Sequence, residues 1–187
     1  MLSVIIATLD AGRDLVPTLA ALVPGATAGL ISEVLVADGG SGDETAAVAD
    51  VAGCEFLAIE GPLGNRLKVA AETARAPWLM FLRPGTILDA SWTGEARHFM
   101  EQSVGGARAA VFRRGTAAQP GLREVFGLAL SALGARPCPQ QGLIISQRLY
   151  REIGGHSAFA AEPEHDLIRR LRRRRIVTLS TGAFAAR

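Results

Sequence analysis

The sequence predicts an α/β fold with a mainly parallel β-sheet flanked by helices. In the first half of the chain, short apolar runs alternate with segments rich in Ala and Leu. Continuous apolar strands separated by helical segments are typical of parallel βαβ units, whose strands are buried on both faces. The chain has 187 residues, 49% of them hydrophobic, which is enough for one substantial core. We therefore expect a single domain over residues 1–187.

The predicted elements alternate strictly over the first half. Strands are expected at Leu2–Thr8, Glu33–Ala37, Glu55–Ile59 and Trp78–Leu82, with helices at Leu15–Leu22, Glu44–Val51 and Leu67–Ala74 between them. Right-handed crossovers bring the carboxyl ends of such strands to one edge of the sheet, where ligands bind. The residues that directly follow each strand are therefore the first candidates for a functional site.

The second half is less regular. Helices are expected at Ser91–Gln102, Leu122–Leu133 and Pro163–Arg173, and strands at Ala109–Arg113, Gly142–Ser146 and Ile176–Leu179.

The amino-acid composition limits which classes of binding partner and which cellular compartment we expect. Lys and Arg number 20 and Asp and Glu 18, a net charge of +2 that is too even for a polyanion-binding protein by composition, so no nucleic-acid partner is expected. The two cysteines form neither a disulfide framework nor a four-ligand zinc site. No segment approaches the ~20 apolar residues of a membrane span, and the opening segment lacks a basic region. We expect a cytoplasmic protein.

Polar residues and glycines follow the first two strands. Thr8 and Asp10 come at the end of the first strand, and Asp38 and Gly39 at the end of the second. An Asp in such a place can accept a hydrogen bond from a base imide or a ribose hydroxyl, and a glycine lets backbone N–H groups approach a ligand. The alternative is an ordinary strand-to-helix turn, in which Asp43 caps the next helix.

Three segments together resemble the inverting family 2 glycosyltransferases. They are Ser3–Leu9, Glu33–Ser41 and Trp78–Leu82, in the order and spacing of that family, and the resemblance covers about residues 2–92 and returns near 140–175. It implies the GT-A fold and a nucleotide-sugar donor. It also implies that residues 1–90 form the nucleotide-binding half and 91–187 the acceptor side, with Thr8 and Asp10 near the nucleotide and Asp38 on the base or ribose.

The chain departs from the family where a divalent metal is normally bound. The resemblance implies an acidic motif after the strand Trp78–Leu82, but the residues here are Arg83, Pro84 and Gly85. Mg²⁺ or Mn²⁺ is typical of the family, yet Gly85 replaces the acidic ligand, so no metal site is predicted. Arg83 could bind phosphate oxygens in place of the metal, or it could be a solvated residue of a decayed site. Arg66 and Lys68 could also face a diphosphate, or simply cover a helix surface.

A late acidic segment supplies the candidate base. Family members carry such a segment at the start of a helix, and here it includes Glu164, His165 and Asp166. By its position before Arg169 and Arg170, Glu164 matches the family's catalytic carboxylate, which would deprotonate the acceptor hydroxyl. His165 is a second candidate base. The alternative is that Glu164 and Asp166 only favour the positive end of a helix.

The six arginines of Arg169–Arg175 leave two interpretations open: a solvated helix face, or a peripheral contact with an anionic membrane.

The resemblance as a whole implies a glycosyltransferase that moves a sugar from a nucleotide-sugar donor to a hydroxyl acceptor with inversion, without a metal if Arg83 replaces it. The alternative is a catalytically degenerate GT-A-like domain that binds a nucleotide or a protein partner. The missing acid at Gly85 and the proline at Pro163 favour that alternative. The identity of the acceptor cannot be inferred from these residues.

Overall fold

An eight-stranded sheet forms the centre of the protein in a computed structural model that describes residues 1–115 and 137–186. The strands are β1 Leu2–Thr8, β2 Ile31–Asp38, β3 Glu55–Ala58, β4 Trp78–Leu82, β5 Thr86–Leu88, β6 Ala109–Arg114, β7 Leu143–Ser146 and β8 Ile176–Ala185. Their order across the sheet is β3-β2-β1-β4-β7-β6-β8-β5.

Helices cover both faces of this sheet. They are α1 Gly12–Thr27, α2 Thr45–Val51, α3 Leu63–Thr73, α4 Trp92–Gln102, α5 Gln147–Glu152 and α6 Pro163–Leu171. Short 3₁₀ helices occur at Val104–Gly106, Pro139–Gln141 and Arg173–Arg175. Among the described helices, none is long and apolar enough to cross a membrane.

Strand direction divides the sheet into a parallel and a mixed part. Strands β3, β2, β1 and β4 are parallel, whereas β7 is antiparallel to both β4 and β6, and β5 is antiparallel to β8. The register pairs Thr8 with Asp38 and Ile6 with Leu82, so β1, β2 and β4 end at the same edge. This arrangement confirms the predicted α/β class and places the residues after these strands side by side.

The core has two layers because alternate side chains of each strand point to opposite faces. Val4 and Ile6 pack with α1, α2 and α4 on one face, and Ile5 packs with α3, α5 and α6 on the other. On the face of Val4 and Ile6, helix α1 approaches Trp92 of α4 closely. Glycine is required at Gly25 of α1, because a Cβ there would lie 2.5 Å from the fully buried ring of Trp92.

The predicted elements of the first half all form, with small differences at their ends. The bounds of β1 and β4 are as predicted, whereas α1 extends well beyond Leu15–Leu22 although it contains Pro17 and Pro24. Proline in a helix interior is normally unfavourable because it removes a backbone donor. Here the burial of Leu15 and Leu22 against the sheet holds the helix together across both prolines.

Two elements were not predicted, β5 at the end of the first half and α5 in the second, and β8 runs further than Ile176–Leu179. Helix α6 ends at Leu171 rather than Arg173. Strand β5 has three residues and, among the described strands, pairs with the distant β8 alone, so no local pattern marks it. The predicted helix Leu122–Leu133 lies outside the described residues.

Candidate active site

A cleft of about 350 Å³ opens at the edge where β1 and β4 end. Five of the predicted site residues line it: Thr8, Asp10, Arg66, Arg83 and Glu164. They come from loops and helices that are far apart in sequence, and the parallel strands bring them together. The lining also includes Leu9, Asp14 and Pro84, for which no role was predicted.

Asp38 lies beneath the loop that follows β2 and is only 2% exposed. Its Oδ2 accepts hydrogen bonds from the backbone N–H groups of Gly40 (2.9 Å) and Ser41 (2.7 Å). Its Oδ1 accepts from the hydroxyls of Thr8 (2.7 Å) and Ser41 (2.5 Å). Burial alone raises the pKa of Asp38, but these hydrogen bonds outweigh it and hold the pKa below its ordinary value. The carboxylate is thus fully used within the protein.

Hydrogen bonds interlock the loops after β1 and β2. The backbone N–H of Asp10 donates to Ser41 Oγ (2.8 Å), and the Asp10 carboxylate accepts from the N–H of Gly42 (2.8 Å). Asp10 has a φ of 47°, in the left-handed region that Asp and Asn tolerate better than most residues. This conformation leaves Asp10 exposed at the mouth of the cleft, while Ser41, which the sequence did not single out, connects Asp10 with Asp38.

Asp43 joins the two helices that start from these loops. Its Oδ2 accepts from the N–H of Gly12 (2.9 Å), the first residue of α1, and its Oδ1 accepts from the N–H of Thr45 (3.0 Å), the first residue of α2. Asp43 therefore holds the start of α2, but it does so from the position before the N-cap, which is Glu44 and not Asp43 as predicted, and it also binds the start of α1. Both helices begin at defined positions relative to the cleft.

Arg66, in the first turns of α3, is 8% exposed and lines the cleft. Its Nη1 donates to the backbone oxygen of Thr8, and its Nε is buried without a hydrogen-bond partner in the described part of the chain. No carboxylate there forms an ion pair with Arg66. Gly39 makes room for this side chain, because a Cβ at Gly39 would lie 2.7 Å from Nη1. A buried cation without a counter-ion is costly to the fold, which makes Arg66 a candidate ligand for an anion.

Arg83 and Glu164, predicted as phosphate ligand and base, bind each other across the cleft. Arg83 Nε lies 2.9 Å from Oε2 and 3.1 Å from Oε1 of Glu164, and Nη2 also donates to Oε2. The side chains are 38% and 14% exposed. The hydrogen bonds and charge of Glu164 raise the pKa of Arg83 against the opposing effect of burial. The Arg83 guanidinium is therefore directed at Glu164 and not at bulk water, and its Nε and Nη2 are already occupied by that carboxylate.

The turn after β4 places Gly85 in the left-handed backbone region. Gly85 has a φ of 82°, and the N–H of Thr86 donates to Arg83 O (3.1 Å), as in a type II turn with Pro84 and Gly85 at its centre. An Asp at Gly85 would be strained in this conformation. Within residues 1–115 and 137–186, no group of three potential metal ligands occurs. Asp10, Asp14 and Glu164 line the cleft without forming such a group.

The remaining predicted residues lie away from the cleft. Lys68 lines a separate pocket of about 180 Å³ with Tyr150 and Arg151. His165 is half-exposed, and its nearest acidic neighbour is Glu162, at 3.6 Å from Nδ1.

Asp166 binds residues of α6 and of the loop before it, and it does not line the cleft. Its Oδ2 accepts hydrogen bonds from Ser157 Oγ (2.8 Å) and Arg170 Nε (2.9 Å), and its Oδ1 accepts from Arg169 (2.8 Å). The Ser157 hydrogen bond is the main reason that the pKa of Asp166 lies below its ordinary value. Asp166 therefore anchors the loop before α6.

Three-dimensional comparison finds the same architecture in solved glycosyltransferase structures. Glucosyl-3-phosphoglycerate synthase from Mycobacterium tuberculosis, in complex with Mn²⁺, uridine diphosphate and glucosyl-3-phosphoglycerate, matches with a TM-score of 0.71 and 17% identity over 100% of this chain and 72% of that one. Residues 1–349 of TarS from S. aureus match with a TM-score of 0.74 and 15% identity over 99% of this chain. The chain has the GT-A fold.

The comparisons establish the fold and no closer relationship. This chain spans 60% of the TarS fragment. No family model and no curated protein sequence matches the chain. Another structure of the Mycobacterium tuberculosis synthase, with a TM-score of 0.70 and 17% identity, holds uridine-diphosphate-glucose, Mn²⁺ and phosphoglyceric acid.

Proposed function

We propose that this chain is a family 2-like glycosyltransferase that moves a sugar from a nucleoside-diphosphate sugar to a hydroxyl acceptor with inversion. The observation that carries the proposal is Arg66, a buried guanidinium in the cleft with no carboxylate partner in the described residues. A bound diphosphate would supply the missing negative charge. The GT-A fold and the uridine-diphosphate and uridine-diphosphate-glucose complexes of the similar structures support this choice of ligand.

Arg66 and Arg83 place two guanidinium groups in the cleft that suit a reaction with an anionic leaving group, although three carboxylates line the same cleft. The acceptor oxygen attacks the anomeric carbon as the bond from that carbon to the diphosphate oxygen breaks, and the bonding electron pair leaves with the diphosphate. The guanidinium groups of Arg66 and Arg83 neutralise the charge that develops there. Because glycine stands at Gly85, where the family resemblance implies an acidic metal ligand, we propose that these two side chains perform this task without a metal.

Glu164 is the proposed base. The acceptor hydroxyl loses its proton as the new bond forms, and a carboxylate in the cleft can accept it. Glu164 is the carboxylate on α6 that lines the cleft, whereas Asp166 and His165 lie outside it. A single displacement on the face opposite the leaving group inverts the anomeric centre.

We assign Asp38 a positioning role in place of the direct contact with the base or ribose that the sequence led us to expect. In the described part of the chain, all hydrogen bonds of its carboxylate run to Thr8 and to the loop after β2, and Asp38 does not line the cleft. Contact with a nucleoside would require this loop to open. Asp38 instead fixes the loop, and the exposed Asp10 and the backbone at Thr8 are left to meet the nucleoside.

Nucleotide binding is the first test of the proposal. Uridine, guanosine and thymidine diphosphates are each added to the chain with Mn²⁺ and with a chelator, and thermal unfolding is followed. We expect one of them to raise the melting temperature equally in both conditions. Stabilisation only with Mn²⁺ would contradict the metal-independent site, and no stabilisation by any of the three would contradict the donor assignment.

Turnover is the second test. A panel of nucleotide sugars is incubated with the chain, and release of the nucleoside diphosphate is measured with wild type and with Glu164→Gln. We expect release by the wild type and its loss in the variant. Binding without release for any donor would instead support the alternative of a degenerate nucleotide-binding domain.

A further inference from the structure

We infer that Glu164 and the donor diphosphate compete for the same edge of Arg83, so that binding of the diphosphate releases Glu164 to act as the base. The inference rests on the proposed function and deepens it. It assigns Arg83 a second task besides neutralising the leaving group, namely to hold the base until the donor is present.

The competition follows from the geometry of the pair. Glu164 engages Nε and Nη2 of Arg83, the edge through which a guanidinium binds two oxygens at once. A phosphate presents a similar pair of oxygens to that edge. The two anions therefore cannot occupy it together.

The location of the pair makes the competition relevant to the donor. Arg83 and Glu164 line the same cleft as Arg66, whose buried guanidinium has no carboxylate partner in the described chain. A diphosphate drawn to Arg66 would lie in the cleft that Arg83 also faces. Asp10 and Asp14 line the cleft as well, so the two arginines must also offset their repulsion of an anion.

The exchange needs only side chains to move. The backbone of Arg83 is restricted by the proline that follows it. Two hydrogen bonds hold Gly85: its N–H donates to Asp14 O (2.9 Å), and its carbonyl oxygen accepts from the N–H of Ala186 (2.7 Å). Glu164 is in the first turn of α6. Rotation of these two side chains separates the carboxylate from the guanidinium.

Once Arg83 turns to the diphosphate, the oxygens of Glu164 are free to accept the proton of the acceptor hydroxyl. Before that, their lone pairs are directed at Arg83. The donor must therefore bind before the acceptor can be deprotonated, which predicts an order of events for the reaction.

The test is a double-mutant cycle read by calorimetric binding of inorganic pyrophosphate to the full chain, with a chelator present. Glu164→Gln removes the competing charge and should bind pyrophosphate about tenfold more tightly than wild type. Arg83→Gln should bind about tenfold more weakly. The double variant should bind like Arg83→Gln alone, because the gain from Glu164→Gln depends on Arg83.

Glu162→Gln is the matched control. Glu162 stands two residues before Glu164, its side chain is 75% exposed, and it pairs with His165. Its substitution removes the same charge from the same end of α6. If both variants tighten pyrophosphate binding equally, the effect is a general change in charge and the inference is overturned.

The remaining outcomes separate the inference from the proposed function. Unchanged or weaker binding by Glu164→Gln, additive effects in the cycle, or no binding by any variant would overturn the competition. Tighter binding by Glu164→Gln supports it even if the wild type binds too weakly to measure. If the cycle behaves as expected but the wild type turns over no nucleotide sugar, the competition stands and the proposed function fails.

Discussion

At the residue scale, the most informative side chain is a buried arginine that has no carboxylate partner in the described residues to offset the cost of burying its charge. Arg66 is buried, and it donates to Thr8 without a carboxylate partner in the part of the chain that the structure describes. The sequence analysis predicted Arg66 as a possible diphosphate ligand, but it predicted Lys68 equally for the same role. Only the helix geometry separates them: Arg66 faces the cleft and Lys68 faces another pocket.

Arg66→Met should therefore stabilise the fold and weaken nucleotide binding. We expect the free energy of unfolding in urea to rise by about 1 kcal/mol, because a buried charge without a counter-ion is removed. Nucleoside diphosphate binding should weaken at least tenfold. Lys68→Met, the matched control, should leave binding unchanged. A loss of both stability and binding would show that Arg66 is structural.

Asp38 gives a prediction about acid stability. A carboxyl whose pKa is lowered by folding contributes stability that is complete above its unfolded pKa of about 3.9 and is lost as the pH falls through its folded pKa. Asp38→Asn should cost about 2 kcal/mol near pH 7, since backbone donors of the loop lose their charged acceptor.

The difference between wild type and Asp38→Asn should shrink as urea unfolding is repeated from about pH 7 down to about pH 3. Asp50→Asn, a substitution at an exposed position on α2, should cost nothing near pH 7. A difference for Asp38→Asn that stays constant with pH would contradict the role of its charge.

At the scale of elements, close packing at the start of α3 supports the side of the cleft that holds Arg66. A Cβ at Gly64 would lie 2.1 Å from Ser157 O, in the loop that Asp166 anchors. Helix α3 thus meets the segment leading to α6, and the two helices carry Arg66 and Glu164 respectively.

The same substitution in two helices should have opposite effects. Gly64→Ala should lower the free energy of unfolding by about 2 kcal/mol because the methyl group meets the backbone of the neighbouring loop. Gly94→Ala should raise it by about 0.5–1 kcal/mol, because no atom lies within 4 Å of a Cβ at that position in α4. Urea unfolding of both variants measures the two values, and equal signs would contradict this packing.

The elements that could be predicted are those with a local signal. Strands β1 and β4 are continuous apolar runs, and their ends could be identified to the residue. The short β5 depends on pairing with β8, and the pairing of Arg83 with Glu164 joins the turn after β4 to α6. Such contacts are created by the fold, so the sequence could propose both residues without showing that they bind each other.

At the scale of the whole molecule, the cleft and the arginine-rich segment lie at opposite edges of the sheet. The cleft lies where β1 and β4 end, whereas the start of β8 pairs with the start of β6, and the start of β4 pairs with Ser146. Arg175 at this far edge pairs with Glu152, and Arg169 and Arg170 pair with Asp166. The segment Arg169–Arg175 is therefore partly neutralised, and a membrane contact through it stays a prediction.

Vesicle sedimentation tests that contact. We expect the full chain to bind vesicles rich in phosphatidylserine but not neutral ones, and the double substitution Arg172→Gln with Arg174→Gln to weaken binding about thirtyfold, at about 1 kcal/mol for each arginine near the surface. Arg13→Gln, on the exposed side of α1, is the control. No preference for anionic vesicles would leave the segment as a solvated helix end.

The interlocked loops after β1 and β2 have a consequence for protein engineering. Asp10, Ser41, Gly42 and Asp43 form hydrogen bonds that cross between the loops, so neither loop has an independent conformation. Grafting one of them from another enzyme to change the recognised nucleotide would leave the partner loop without its acceptors. A successful transplant must carry both loops together, with the first residues of the helices that they start.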